Sequence, residues 1–247
     1  AWNNAVNNDG VYVFVKYKEK GVWHHANLAK SSGKVFDATN AIPEGFSTGS
    51  DKDLAMWIPD TAKGAFLFVQ KGIEKDVCAD NVTLSIKIDE NADIEDMKVF
   101  GLEMTYIPEG EFEIGDPMGT NGPRNCLYVY PNGGAYKVVS EDAIIMDAKD
   151  GYLYCDQDNE RSRDEVPFTI PASFPKGFKA FWYMKYGVSC QQYVDFLNTL
   201  TRRQQQQHVR SDISGSNIPN YYVMTDTCEE RFRQSIVVER KGNSTTE

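Results

Sequence analysis

Residues 181–200 read Phe181-Trp182-Tyr183-Met184-Lys185-Tyr186-Gly187-Val188-Ser189-Cys190-Gln191-Gln192-Tyr193-Val194-Asp195-Phe196-Leu197-Asn198-Thr199-Leu200, and the organisation of the chain turns on them. The aromatic opening reads as a buried strand, and the remainder as an amphipathic helix. Ser189 is a good N-cap, because a serine hydroxyl accepts one of the orphan N–H groups of a first helical turn. Gln192, three residues later, completes a capping box. Tyr193, Phe196, Leu197 and Leu200 fall at i, i+3, i+4 and i+7, one apolar stripe on a 3.6-residue helix. Residues 202–208, rich in Arg and Gln, are expected to extend that helix, since both are good helix formers.

Ahead of this unit the chain reads as β structure. Val11-Tyr12-Val13-Phe14-Val15-Lys16-Tyr17 is rich in β-branched and aromatic residues and forms a strand. Glu19-Lys20-Gly21 turns it back into a hairpin partner over residues 22–28. A polar loop covers 30–52, and strands follow at 54–58 and 65–70. Residues 82–88 give the cleanest alternation, with Val82, Leu84, Ile86 and Ile88 on one face. Short strands without helical periodicity between them predict an antiparallel β-sandwich over residues 1–96.

The acidic run 89–96 marks the expected boundary, with a second domain over 97–247. Strands are expected at 99–107, 111–115, 127–130, 136–139, 143–146 and 235–239. Residues 116–125 form a Gly/Pro-rich loop. Residues 147–165 read as an acidic, irregular loop, whose deletion should weaken partner binding while leaving melting nearly unchanged. The fold class is thus β-rich α+β.

Composition narrows the function. A chain of 247 residues, 41% hydrophobic and 12% aromatic, holds enough apolar material for one or two cores. Its formal charge of −10 argues against a nucleic-acid partner, which calls for a basic face. No apolar run is long enough for a transmembrane segment. Cys78, Cys126, Cys155, Cys190 and Cys228 are widely spaced and form no zinc-type cluster, so they read as scattered buried thiols, with one disulfide open to an exported protein.

Few residues offer chemistry. His24 and His25 are adjacent on a strand, so their rings point to opposite faces and do not converge on one metal. His208 has no evident partner. Asp156, Asp158 and Glu160 alternate as calcium ligands do, yet Arg161 stands where an EF-hand loop needs glycine; they are the calcium candidates, weighed against a solvated loop. Cys190 lies in a first helical turn, where the helix dipole favours a thiolate, but no base is near in sequence. The run Phe181, Trp182, Tyr183, Tyr186 suits either a core or a sugar-stacking surface. Asn81-Val82-Thr83 and Asn243-Ser244-Thr245 fit the N-glycosylation pattern. No catalytic or cofactor-binding residue is assigned.

Two segments carry a resemblance. Met104-Thr105-Tyr106-Ile107-Pro108-Glu109-Gly110-Glu111-Phe112-Glu113-Ile114-Gly115 resembles the opening motif of the formylglycine-generating-enzyme (sulfatase-modifying-factor) family. Residues 181–200 are similar to that family's strand leading into a helix, with Val188, Ser189, Tyr193 and Phe196 matching. Gly187 stands where the family usually has Glu. The family's later motifs and reactive cysteines have no counterpart. The resemblance therefore implies the N-terminal half of a C-type-lectin-like domain, cut short and preceded by a β-domain. It implies a non-catalytic structural or ligand-binding module of an exported or cell-surface bacterial protein, recognising a protein or glycan surface. Two alternatives accompany it: the front half of an oxygen-dependent, metal-assisted oxidase, and a building block of a large extracellular assembly.

Overall fold

The computed structural model describes residues 2–3, 8–32, 41–69, 74–115, 127–131, 133–155, 167–210, 212–213, 221–224 and 236–238. The chain divides into two compact units. One comprises Ala1–Thr105 together with Met184–Glu247, the other Tyr106–Tyr183. The division expected at 96/97 instead lies inside a long strand, and the C-terminal segment belongs to the same unit as the N-terminal strands. The structure is strand-rich, with several antiparallel sheets and, among the described residues, two short helices.

In chain order the first unit begins with β1 (Trp2–Asn3), β2 (Asn8–Glu19), β3 (Val22–His25), β4 (Asn27–Leu28), β5 (Leu54–Trp57), β6 (Ala65–Val69), β7 (Glu74–Lys75), β8 (Ile86–Lys87) and β9 (Ile94–Ile107). β2 turns into β3 as expected, with Glu19 paired to Val22. Lys20 (φ 49°) and Gly21 (φ 77°) both take left-handed backbone, the twist a two-residue hairpin needs. β2 pairs antiparallel with β6, and β6 with β5. All five residues of β6 are buried, which is why it reads as a continuous apolar run rather than an alternation.

The two faces of β2 do different work. Val11 and Val13 pack on a core of Leu28, Phe46, Leu54, Met56, Ile58 and Leu67. Tyr12 and Phe14 face the other way and join a row of rings across the sheet. Trp57 stacks on Phe66 at 5.1 Å, Phe66 meets Tyr12 at 4.8 Å, and Phe14 stacks on Phe100 of β9 at 4.9 Å. Gly64 lies against the Tyr12 ring, so closely that a Cβ there would sit 2.6 Å from it.

The alternation at 82–88 yields less strand than expected: β8 covers two residues, with one further bridge between Ser47 and Thr83. The partner explains this, since β4 offers only Asn27 and Leu28 to pair with. Val82, Leu84 and Ile86 still pack, half-buried, against the core.

The second unit contains β10 (Phe112–Ile114), β11 (Leu127–Val129), β12 (Tyr136–Val138), β13 (Ile144–Met146), β14 (Leu153–Cys155), β15 (Phe168–Ile170) and most of β16 (Phe181–Met184). β10 pairs with β12, and β11-β14-β13-β15 form a four-stranded sheet in which β13 and β14 run parallel. Val138, Ile144, Met146, Leu153 and Cys155 form its core, with Phe112, Ile170 and Phe178 against them. The stretch 147–165 is therefore not simply an irregular loop. It contributes β14, whose Leu153 is fully buried, and it begins at a buried Asp147 paired with Lys149 at 2.7 Å. Deleting it would remove a strand between two others, so the expectation of unchanged melting is withdrawn. The rest of that stretch, residues 156–165, lies outside the described residues, as does 116–125.

The chain returns to the first unit with α1 (Cys190–Leu197), α2 (Arg202–Gln206), β17 (Tyr221–Tyr222) and β18 (Val237–Val238). α1 starts as read, with both arms of the Ser189/Gln192 capping box formed. α2 is a separate helix rather than an extension, with its own capping box from Thr201 and Gln204. The break between them centres on Thr199, fully buried, whose hydroxyl donates to the Phe196 carbonyl at 2.7 Å. No helix among the described residues is long and apolar enough to cross a membrane.

Candidate functional site

The strand–helix segment 184–200 is fastened to the first unit's sheet at both ends. At its start, the Lys185 backbone N–H donates to the Glu103 carbonyl of β9 at 2.9 Å, and its ammonium donates to the Asp9 carboxylate of β2 at 2.7 Å. Asp9 is buried, and its hydrogen bond raises the Lys185 pKa above the ordinary lysine value. At its end, Lys16 of β2 donates to the Thr199 carbonyl at 2.9 Å and lies 5.8 Å from the Phe196 ring centre. A cation here meets the carbonyls exposed at the helix C-terminus and the negative end of its dipole. Burial of Lys16 lowers its pKa.

Between these fastenings α1 and β9 leave a groove of about 620 Å³, within the range of ligand-sized clefts. Phe14, Phe100, Leu102, Val188, Tyr193 and Phe196 supply most of its apolar lining. Phe14 is sandwiched, stacking on Phe100 on one side and on His25, 5.4 Å away, on the other. Val99 and Val188 open to solvent at the groove, 66% and 45% exposed. Val99 lies on β9 and Val188 in the connection ahead of the Ser189 cap, and Met97 of β9 is 46% exposed.

The polar side chains around the groove are engaged within the protein. Gln192 accepts the Ser189 N–H in the capping box, Asp195 accepts from Gln191 at 2.9 Å, and the Tyr193 hydroxyl donates to the His208 carbonyl at 2.9 Å. Lys98 rests over the Trp23 ring at 5.4 Å. What the groove offers a ligand is aromatic and aliphatic surface with a charged rim, suited to shape and stacking rather than proton transfer.

The residues singled out from the sequence separate accordingly. His24 stacks on Tyr17 at 5.2 Å while His25 stacks on Phe14 and meets the Lys63 carbonyl, so the two rings have different surroundings. His208 lies edge-on to Phe196 at 5.7 Å. Among the described residues no three His, Cys, Asp or Glu side chains converge on a metal-sized site. The calcium candidates Asp156, Asp158 and Glu160 lie outside the described residues, as do Cys126, Cys228 and Asn243. Cys78 and Cys190 are exposed and only Cys155 of the described cysteines is buried, which corrects the reading of all of them as buried thiols. Asn81 is exposed with φ 62°.

The expected buried aromatic strand is half outward. Trp182 packs edge-on to Tyr106 at 5.4 Å, but Phe181 and Tyr183 on either side are exposed, the latter at 64%. Tyr186 is exposed as well. Strand alternation explains this, since neighbours point to opposite faces. Of the other quoted motif, Phe112 enters the second unit's core. Gly115 takes φ 112° where any Cβ would meet the Leu127 carbonyl at 2.4 Å, so glycine is required.

The groove itself was missed by the sequence reading. Compared with known protein families, with curated proteins and with solved structures, the chain matches none.

Proposed function

We propose that the chain is a non-catalytic ligand-binding and structural module of an exported or cell-surface protein, and that it binds a protein or glycan surface through the groove between β9 and α1. One observation carries this reading: the groove keeps an open aromatic and aliphatic lining while its polar side chains are already committed to neighbours. Recognition by stacking and apolar contact needs such a surface on a fixed scaffold, and the segment 184–200 carrying α1 is fastened through Lys185 to Asp9 and through Thr199 to Lys16.

The finer fold reading belongs to the same proposal. An N-terminal sandwich is supported by the layer carrying Leu28, Phe46, Leu84 and Ile86 over one face of the main sheet. The formylglycine-generating-enzyme-like, lectin-type reading of the later residues rests on the two quoted sequence motifs alone. The grouping of α1 with the N-terminal strands departs from a single module over 97–247.

The test is a panel of immobilised oligosaccharides and extracellular proteins, probed with the wild-type chain and with Val99→Asp and Val188→Asp variants. Binding of a panel member that falls tenfold or more in both variants, with unchanged near-ultraviolet circular dichroism, is the expected result. Conversion of a peptide cysteine to an aldehyde in the presence of oxygen and a transition metal would replace this reading with the oxidase. Migration as a stable oligomer without any binding would favour the building-block role.

A further inference from the structure

The second unit contains a conformational device independent of the groove. Residues 171–180 leave β15 and return into β16 without ladder partners of their own, so their backbone groups must be satisfied another way. Glu141, between β12 and β13, supplies part of this. Its Oε2 accepts the Lys176 N–H at 2.6 Å and its Oε1 the Lys179 N–H at 3.0 Å. The Lys176 ammonium closes the arrangement from the loop side, donating to the carbonyls of Glu141 (3.2 Å), Pro171 (2.6 Å) and Phe174 (2.7 Å). Gly177, with φ 87°, lets the backbone curl around the carboxylate.

The loop has consequences for what surrounds it. It walls a cavity of about 600 Å³ with Ala172, Pro175, Ala180 and Phe181 on the lining. Its Phe178 packs on the second unit's core, and the Phe178 carbonyl accepts the Gly110 N–H at 3.1 Å. Phe174, at its tip, is 60% exposed. One carboxylate thus gathers two backbone donors that lie 35 and 38 residues further along the chain.

We propose that Glu141 and Lys176 form a latch: while Glu141 is ionised the loop stays shut and the cavity exists, and neutralising Glu141 frees residues 171–180 without unfolding the sheet beneath. The charged group facing Glu141 from the loop is Lys176; Lys179 meets it through its backbone N–H. Asp142, its neighbour, is turned to the Ser140 hydroxyl at 2.9 Å, and Glu109 and Glu111 flank the Gly110 contact. The backbone donors hold the Glu141 carboxyl below the ordinary glutamate value. The sign follows: the latch is closed above the ordinary value and opens as pH falls through the depressed one.

Amide hydrogen exchange on the full chain, corrected for intrinsic rates, tests this. Glu141→Gln should raise exchange across 172–180 at least tenfold while β13 and β14 stay protected. Lys176→Met should act in the same direction, and the wild-type loop should open on acidification where the Glu141→Gln loop shows no further change. Unaltered loop exchange in Glu141→Gln would overturn the latch. So would a rise spread evenly over β13 and β14, which marks ordinary loss of stability. The acid titration of the wild type decides the matter by itself if a variant does not fold.

Discussion

Gly64 and Tyr12 illustrate how single atoms set the sheet's ring row. A methyl group at Gly64 would lie 2.6 Å from the Tyr12 ring, and Tyr12 is held in turn by Phe66 at 4.8 Å. Gly64→Ala should therefore destabilise the protein by roughly 1–3 kcal/mol, the usual cost of overpacking. The penalty should shrink in a Tyr12→Leu background, and urea unfolding of the four variants measures it. Lys16 makes a prediction in pH. Burial lowers its pKa, so between that value and the ordinary lysine value the unfolded chain binds more protons, and stability rises with pH. Tyr12 acts oppositely, because burial raises its pKa and the folded state is disfavoured once unfolded tyrosine ionises. Against a Tyr12→Phe background, Lys16→Met should make stability fall more steeply with alkaline pH, the difference between the two proteins isolating Lys16 from the opposite contribution of Lys185. At this scale the sequence was half legible. The strand carrying Tyr12 and Lys16 was legible, whereas the contact of Gly64 with the Tyr12 ring was not, since nothing local shows which ring will lie over a glycine.

At the level of elements, α1 depends on its cap. Ser189→Ala removes the acceptor for the Gln192 N–H and should cost about 0.5–2 kcal/mol, seen as a lower urea midpoint with little change in slope. The same capping signature recurs at Thr201 and Gln204 and was passed over in favour of helix propensity. What separates the two helices is tertiary: Lys16 of β2 claims the Thr199 carbonyl, and propensity cannot register a partner 183 residues away. Length failed for a similar reason at residues 82–88, where the alternation was real but the partner strand was two residues long. β15 was not expected, because Pro167 and Pro171 bracket it and read as punctuation. Strand positions in the hairpin, in β5 and β6, and in β10 to β13 were readable from alternation and turn residues. The covered face of β9 was not, and with it the groove stayed hidden.

For the whole molecule, the discontinuous first unit was beyond the reach of composition, because the acidic run at 89–96 resembled a linker and instead leads straight into β9. The structure makes residues 106–183 an excursion that leaves from β9 and returns beside it, since the Lys185 N–H donates to the Glu103 carbonyl at 2.9 Å. Replacing 106–183 with a two-residue Asn-Gly turn should yield a chain that still unfolds cooperatively and keeps the near-ultraviolet signal of its stacked rings. A product without that signal would show that the first unit needs the second.

The doubled crossing between units also bears on proteolysis. A protease that severs one peptide bond anywhere within 106–183 leaves two fragments whose outer portions are both built into Ala1–Thr105 and Met184–Glu247. The nicked protein would migrate as a single species on a native gel and separate into two bands only in denaturant, so damage to the excursion sheds neither end of the chain.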